Sequence, residues 1–135
     1  MNWAGTAERA LIEIQGYLSR YRSGIWRDRI FYELIMDYLP DGDKLTILDV
    51  GCGRGFDGST EFQTLIAERA HHFIGVEPDE SMPYAQHFTQ VHRCTLEIAE
   101  IPAQSIDVAY AIMVLEHIKD PEQFFVKIHK ILALL

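Results

Sequence analysis

The sequence predicts an α/β protein, a parallel sheet with helices on both faces, preceded by two N-terminal helices. Three observations carry this. Short apolar runs at Leu45–Val50, Phe73–Val76 and Ile106–Ile112 alternate with segments of helical periodicity, the pattern of parallel strands covered on both faces. Glycines follow the first run directly, at Gly51, Gly53 and Gly55. Glu77 then ends the second run, at the carboxyl end of a strand, where open α/β sheets bind their ligands.

Each element has its own signal. Trp3, Ala7, Leu11, Ile14 and Leu18 recur at helical spacing, one face of an amphipathic helix. Ser23-Gly24 interrupts it, and Ile25, Ile30, Leu34, Ile35 and Tyr38 build a second stripe. Pro40-Asp41-Gly42-Asp43 is a stop and turn. Residues 1–40 are therefore expected to form a helical cap and residues 41–135 a sheet domain. Leu45–Val50, bounded by glycine, reads as a buried first strand. Thr60-x-x-Gln63 has capping-box spacing for a helix over 60–70. Phe73–Val76 is a second strand, Ser81–Thr89 a short helix and Val91–Thr95 a weaker third strand. Ile106–Ile112 is a fourth, apolar apart from Asp107 and Tyr110. Asp120-Pro121-Glu122-Gln123 opens the last helix, with Asp120 as N-cap and proline at the first helical position. Its apolar face is Phe124, Phe125, Ile128, Ile131, Leu132 and Leu135.

Composition narrows the class. With 135 residues, 48% hydrophobic and 24% charged, the chain has the make-up of one globular domain. No apolar run approaches the roughly 18–20 residues of a membrane span. The N-terminus has no basic segment leading into an apolar stretch, so no secretory signal is expected. Cys52 and Cys94 are too few for a disulfide framework and fit free thiols of a reducing, cytoplasmic compartment. A net charge of −8 weighs against general affinity for nucleic acid. The exception is Arg20, Arg22, Arg27 and Arg29, with Tyr21 and Trp26 between them. That patch could hold a phosphorylated or carboxylated acceptor, or RNA; a solvated helix junction is the better reading.

The glycine loop allows two ligands. Glycines let the backbone turn tightly and approach a ligand with no side chain in the way. A carboxylate about 20 residues on can accept both hydroxyls of a ribose. Gly53-x-Gly55-x-x-Gly58 satisfies the dinucleotide fingerprint, which leaves an NAD-dependent oxidoreductase fragment open. Two features count against it. Taking Gly51 as the first glycine puts Phe56 third, too large for close helix–strand contact. Asp49 would repel a pyrophosphate and favour a ligand carrying an ammonium and a sulfonium.

These residues resemble the class I S-adenosylmethionine-dependent methyltransferases, in particular the broad small-molecule methyltransferase group, from about Leu45 to Leu132. LDVGCGRG (48–55) resembles the first motif, which implies Asp49, Gly51, Cys52, Gly53 and Gly55 around the methionine part. GVEPDESM (75–82) resembles the next, implying Glu77 on the ribose hydroxyls and Pro78 and Met82 near the adenine. LEIAEIP (96–102) resembles the segment where an acidic residue, here Glu97, meets the adenine amine, followed by the Ile98 backbone. IDVAYAIMVLEHIKDPEQFF (106–125) resembles the fourth strand and its loop, with Ala111 nearest the cofactor.

The resemblance implies a Rossmann-like sheet with strands in the order 3-2-1-4, S-adenosyl-L-methionine as cofactor and a small-molecule methyl acceptor. The family's sheet has seven strands, so it also implies a domain truncated after the fourth strand and its helix. An apolar fourth strand would then lie at an edge and could self-associate. The expected function is transfer of a methyl group from S-adenosylmethionine, or the cofactor-binding portion of such an enzyme. A non-catalytic cofactor-binding or partner-binding module is the alternative. No residue can be firmly named as catalytic. His117 is the candidate base, and loop-to-helix packing is its blander reading. His71-His72 has no further ligands to complete a metal site, so none is expected.

Overall fold

The computed structural model describes residues 3–56, 59–83 and 87–133, with the backbone alone for Trp3, Ala4, Thr6 and Arg54. The chain divides into two compact units, Met1–Leu34 and Ile35–Leu135. The first holds helix α1 (Trp3–Arg22) and most of α2 (Arg27–Tyr38), both where the periodicity predicts them. Within it the basic patch is partly neutralised. Glu33 pairs with Arg20 and with Arg29, one turn away at 3.1 Å, while the Arg27 guanidinium lies 5.3 Å from the Trp26 ring centroid.

The second unit carries the sheet. In chain order it contains β1 (Leu45–Val50), α3 (Glu61–Ala67), β2 (Ala70–Val76), β3 (Gln90–His92), β4 (Val108–Ala111) and α4 (Pro121–Ile131). The strands are parallel and lie in the order β3-β2-β1-β4, as the resemblance implies. Paired residues in neighbouring strands share a face. Leu48 with Ala109, and Val50 with Val76 and Ala111, make one face. Phe124 and Ile131 of α4 pack there with Leu96, Ile101 and Ile106. Ile47 with Phe73, and Asp49 with Gly75 and Tyr110, make the other, where Gln63 of α3 reaches the sheet. Helices thus lie on both faces, burying β1 most fully.

Several boundaries move. β2 starts at Ala70, earlier than Phe73, because its first residues, the exposed His71 and His72, are polar and hide the strand from an apolar count. β3 is Gln90–His92, earlier and shorter than Val91–Thr95. The helix expected over Ser81–Thr89 is not seen at its described ends, 81–83 and 87–89; Tyr84, Ala85 and Gln86 lie outside the described residues. Pro83 disfavours helix at Met82, and Thr89 instead donates its N–H to the Phe73 carbonyl at 2.8 Å.

Two helix details also differ. Phe124 is 4% exposed and Phe125 54%, because consecutive helical residues point about 100° apart; Leu135 lies outside the described residues. Thr60 precedes α3 without a side-chain cap bond, so the expected capping box does not form. Gln63 turns into the protein instead. Asp120 does cap α4, accepting from the Gln123 N–H at 3.1 Å. β4 stands at an edge of the sheet, and just before it Ile106 bridges in parallel to Leu132.

Candidate functional site

Parallel strands bring their carboxyl ends to one edge of the sheet. The loops that follow Val50, Val76, His92 and Ala111 therefore share that edge, and they carry Gly51, Cys52, Gly53, Gly55, Glu77, Pro78, Met82, Glu97, Ile98 and His117. Gly51 donates its N–H to the Val76 carbonyl at 2.7 Å, which ties the glycine loop to the end of β2. Glu77 donates its N–H to the His92 carbonyl at 3.0 Å, tying β2 to β3.

The glycines are demanded by close approach. Gly51 has φ 80°, and the Val114 side chain fills the space beside it. Just before Val114, Met113 takes φ 57°, left-handed backbone that a long side chain rarely adopts. Gly55 has φ 64° and abuts the Ser59 carbonyl. At Gly53 the neighbours are side chains from the loop after β2: a Cβ there would stand 2.5 Å from Glu77 Oε1 and 2.8 Å from Met82 Cβ. Gly53, Glu77 and Met82, assigned to one ligand on sequence grounds, are thus gathered in space. Gly58 lies outside the described residues.

Beneath the loop sits Asp49, 4% exposed. Its Oδ2 accepts from Gln63 Nε2 at 2.7 Å and from the Tyr110 hydroxyl at 2.8 Å. Burial pushes its carboxyl up to about 6, with the two donors pulling it down and Glu77 adding to the rise. Burial, then the charges of Asp49 and Glu77, push the Cys52 thiol up to about 12. It packs against Gly75 and is no nucleophile at neutral pH.

Gln63 and Tyr110, which the sequence does not offer as candidates, join Asp49 in space. Tyr110 had a signal, a hydroxyl in an otherwise apolar strand; Gln63 was misdirected by its capping-box spacing. Other candidates stand on the edge without being drawn in. Ala111 pairs with Val50. Pro78 is exposed, Glu97 half-buried and Ile98 72% exposed. His117 is exposed, 3.9 Å from its neighbour Glu116. Among the described residues no three His, Cys, Asp or Glu side chains gather as metal ligands would.

A parallel sheet in this order, with a glycine loop after its first strand and a carboxylate closing over that loop from the second, defines a Rossmann-like domain, an arrangement that class I methyltransferases share with dinucleotide-binding proteins. A family model described as "Methyltransferase domain" matches residues 19–134, and the chain belongs to that family of S-adenosylmethionine-dependent domains. The tRNA U34 carboxymethyltransferase of Shewanella halifaxensis is 27% identical over 105 residues, 71% of this chain and 31% of that protein. That of Klebsiella pneumoniae is 28% identical, over 71% of this chain and 30% of the relative. An S-adenosylmethionine-dependent methyltransferase from Mesorhizobium loti is 25% identical with a TM-score of 0.57, covering 75% of this chain and 47% of that one. Geranyl diphosphate C-methyltransferase from Streptomyces coelicolor, solved with S-adenosyl-L-homocysteine, shares the fold at TM-score 0.59 and 17% identity, over 79% of this chain and 42% of its own. This chain spans about a third of the length of the curated relatives it matches.

Proposed function

We propose that the chain binds S-adenosyl-L-methionine along the carboxyl edge of its sheet and serves methyl transfer to a small-molecule acceptor. The observation that carries this is the closure of Glu77 over Gly53, which brings a diol-accepting carboxylate onto the glycine loop. The residues suit this ligand. Glu77 accepts from the ribose hydroxyls, with Pro78 and Met82 beside the adenine and Glu97 and the Ile98 backbone at its amine. Gly51, Cys52, Gly53 and Gly55 surround the methionine part, above Asp49, and Ala111 flanks it from β4. Asp49 and Glu77 together give this loop a negative field, which disfavours the pyrophosphate of a dinucleotide.

When bound, the cofactor supplies an already activated methyl group. The protein's task is then to hold acceptor, methyl carbon and sulfur in line and to exclude water. His117, on the loop after β4, is the candidate base for an acceptor hydroxyl. The pairing of Arg20 and Arg29 with Glu33 leaves the basic patch less suited to RNA than its sequence suggests, which supports a small acceptor, although the curated relatives are named for tRNA. The free thiols Cys52 and Cys94 support a cytoplasmic site of action. No helix among the described residues is long and apolar enough to cross a membrane.

Isothermal titration with S-adenosylhomocysteine and with NADH tests the ligand. The first is expected to bind and the second not; the reverse outcome would sink the proposal. Radiolabelled methyl transfer to a metabolite panel then separates an enzyme from a binding module.

A further inference from the structure

We propose that Tyr110 and Gln63 are positioning residues for Asp49: by donating to one oxygen, Oδ2, they hold the carboxylate with Oδ1 available to the ammonium of an amino-acid-bearing ligand on the glycine loop. The inference rests on the cofactor reading above and adds two residues to it. The β1–β4 register sets Tyr110 directly across from Asp49, and its hydroxyl donates to Oδ2 at 2.8 Å. Gln63, from α3 on the same face, donates to that oxygen at 2.7 Å and to the Cys52 carbonyl at 3.0 Å. One side chain thus ties the floor of the site to the loop that covers it.

Two donors on one carboxylate oxygen saturate it and fix the rotation of the group. Among the described residues none donates to Oδ1. A second acceptor is also unmet. Gln63 is 0% exposed, its Nε2 committed to two acceptors, and its own Oε1 has no partner. That oxygen faces Gly55, 3.1 Å from where a Cβ on that residue would stand. A buried amide oxygen without a donor is destabilising. Among the described residues the side-chain hydrogen-bonding capacity left unmet beside this loop is accepting capacity, on a carboxylate and an amide. A compact cation with several N–H donors answers it; a phosphate, which brings only acceptors, does not.

The test compares S-adenosylhomocysteine with 5′-methylthioadenosine, which lacks the amino-acid end, by isothermal titration on the whole chain. Tyr110→Phe, which deletes only the hydroxyl, is expected to weaken S-adenosylhomocysteine by about five- to twenty-fold and 5′-methylthioadenosine by less than about twofold. In an Asp49→Asn background the same substitution is expected to add nothing. Gln63→Met makes the same comparison should Tyr110→Phe fail to fold. Unchanged affinity for S-adenosylhomocysteine, or an equal loss for both ligands, overturns the positioning role while leaving the cofactor reading intact. A wild-type chain that binds neither ligand overturns both.

Discussion

The Glu77 carboxylate occupies the space that a side chain on residue 53 would need, with Oε1 standing 2.5 Å from where a Cβ on Gly53 would lie. Real Cβ contacts do not come this close. Gly53 is therefore set by the approach of an acidic strand end, while Gly55 is set by its own backbone, at φ 64°.

That difference predicts two outcomes for one kind of substitution. In Gly53→Ala the Glu77 carboxylate can swing aside, while Met82 Cβ, 2.8 Å away, moves only with its loop backbone, so affinity for S-adenosylhomocysteine falls with a smaller loss of stability. In Gly55→Ala the obstruction is the Ser59 backbone carbonyl and the backbone angle is strained as well, so the fold loses more than about 2 kcal/mol. Thermal melts and titrations of both variants check this. Gly55→Ala melting with the wild type would refute it.

Glu77→Ala is expected to weaken S-adenosylhomocysteine by roughly tenfold to a hundredfold, the worth of hydrogen bonds to a charged acceptor less what water recovers. The fold survives, because the bond tying Glu77 to His92 comes from its backbone N–H. Unchanged affinity would remove Glu77 from the ribose.

Asp49 predicts a pH dependence of known sign. Its folded value, about 6, lies above the ordinary 3.8, chiefly through burial, so the folded state holds this proton more tightly than the unfolded chain. The stability it contributes is fully present below pH 3.8 and is lost as pH rises through about 6. At ~1.4 kcal/mol per pH unit the window is worth on the order of 3 kcal/mol. Asp49→Asn is expected to melt above the wild type at pH 8, with the gap closing towards pH 4, and to bind S-adenosylhomocysteine more weakly at pH 8. A gap that stays constant across that range would contradict the burial argument.

Asp120→Ala is expected to cost about 1 kcal/mol through loss of the bond from the Gln123 N–H. Thr60→Ala, at a helix start with no side-chain cap bond, is expected to change stability by less than about 0.5 kcal/mol. Chemical denaturation of the two variants gives the comparison; equal losses would contradict the cap assignment.

The sequence by itself determined the class, the strands around Leu48, Ile74 and Ala109, and the glycine loop with Glu77 some 20 residues on. Apolar runs, glycine spacing and a proline at a helix start are local signals, each expressed within a few residues. Tertiary structure alone decided what Asp49 touches. Tyr110 lies 61 residues away and reaches it through the register of two parallel strands. Gln63, 14 residues away, reaches it only because its helix crosses that face of the sheet. Capping-box spacing pointed Gln63 outward, but a buried carboxylate and the buried Cys52 carbonyl, both needing donors, made the inward bonds worth more. Such choices depend on which polar groups are left unpaired once the core closes, and no local pattern carries that information.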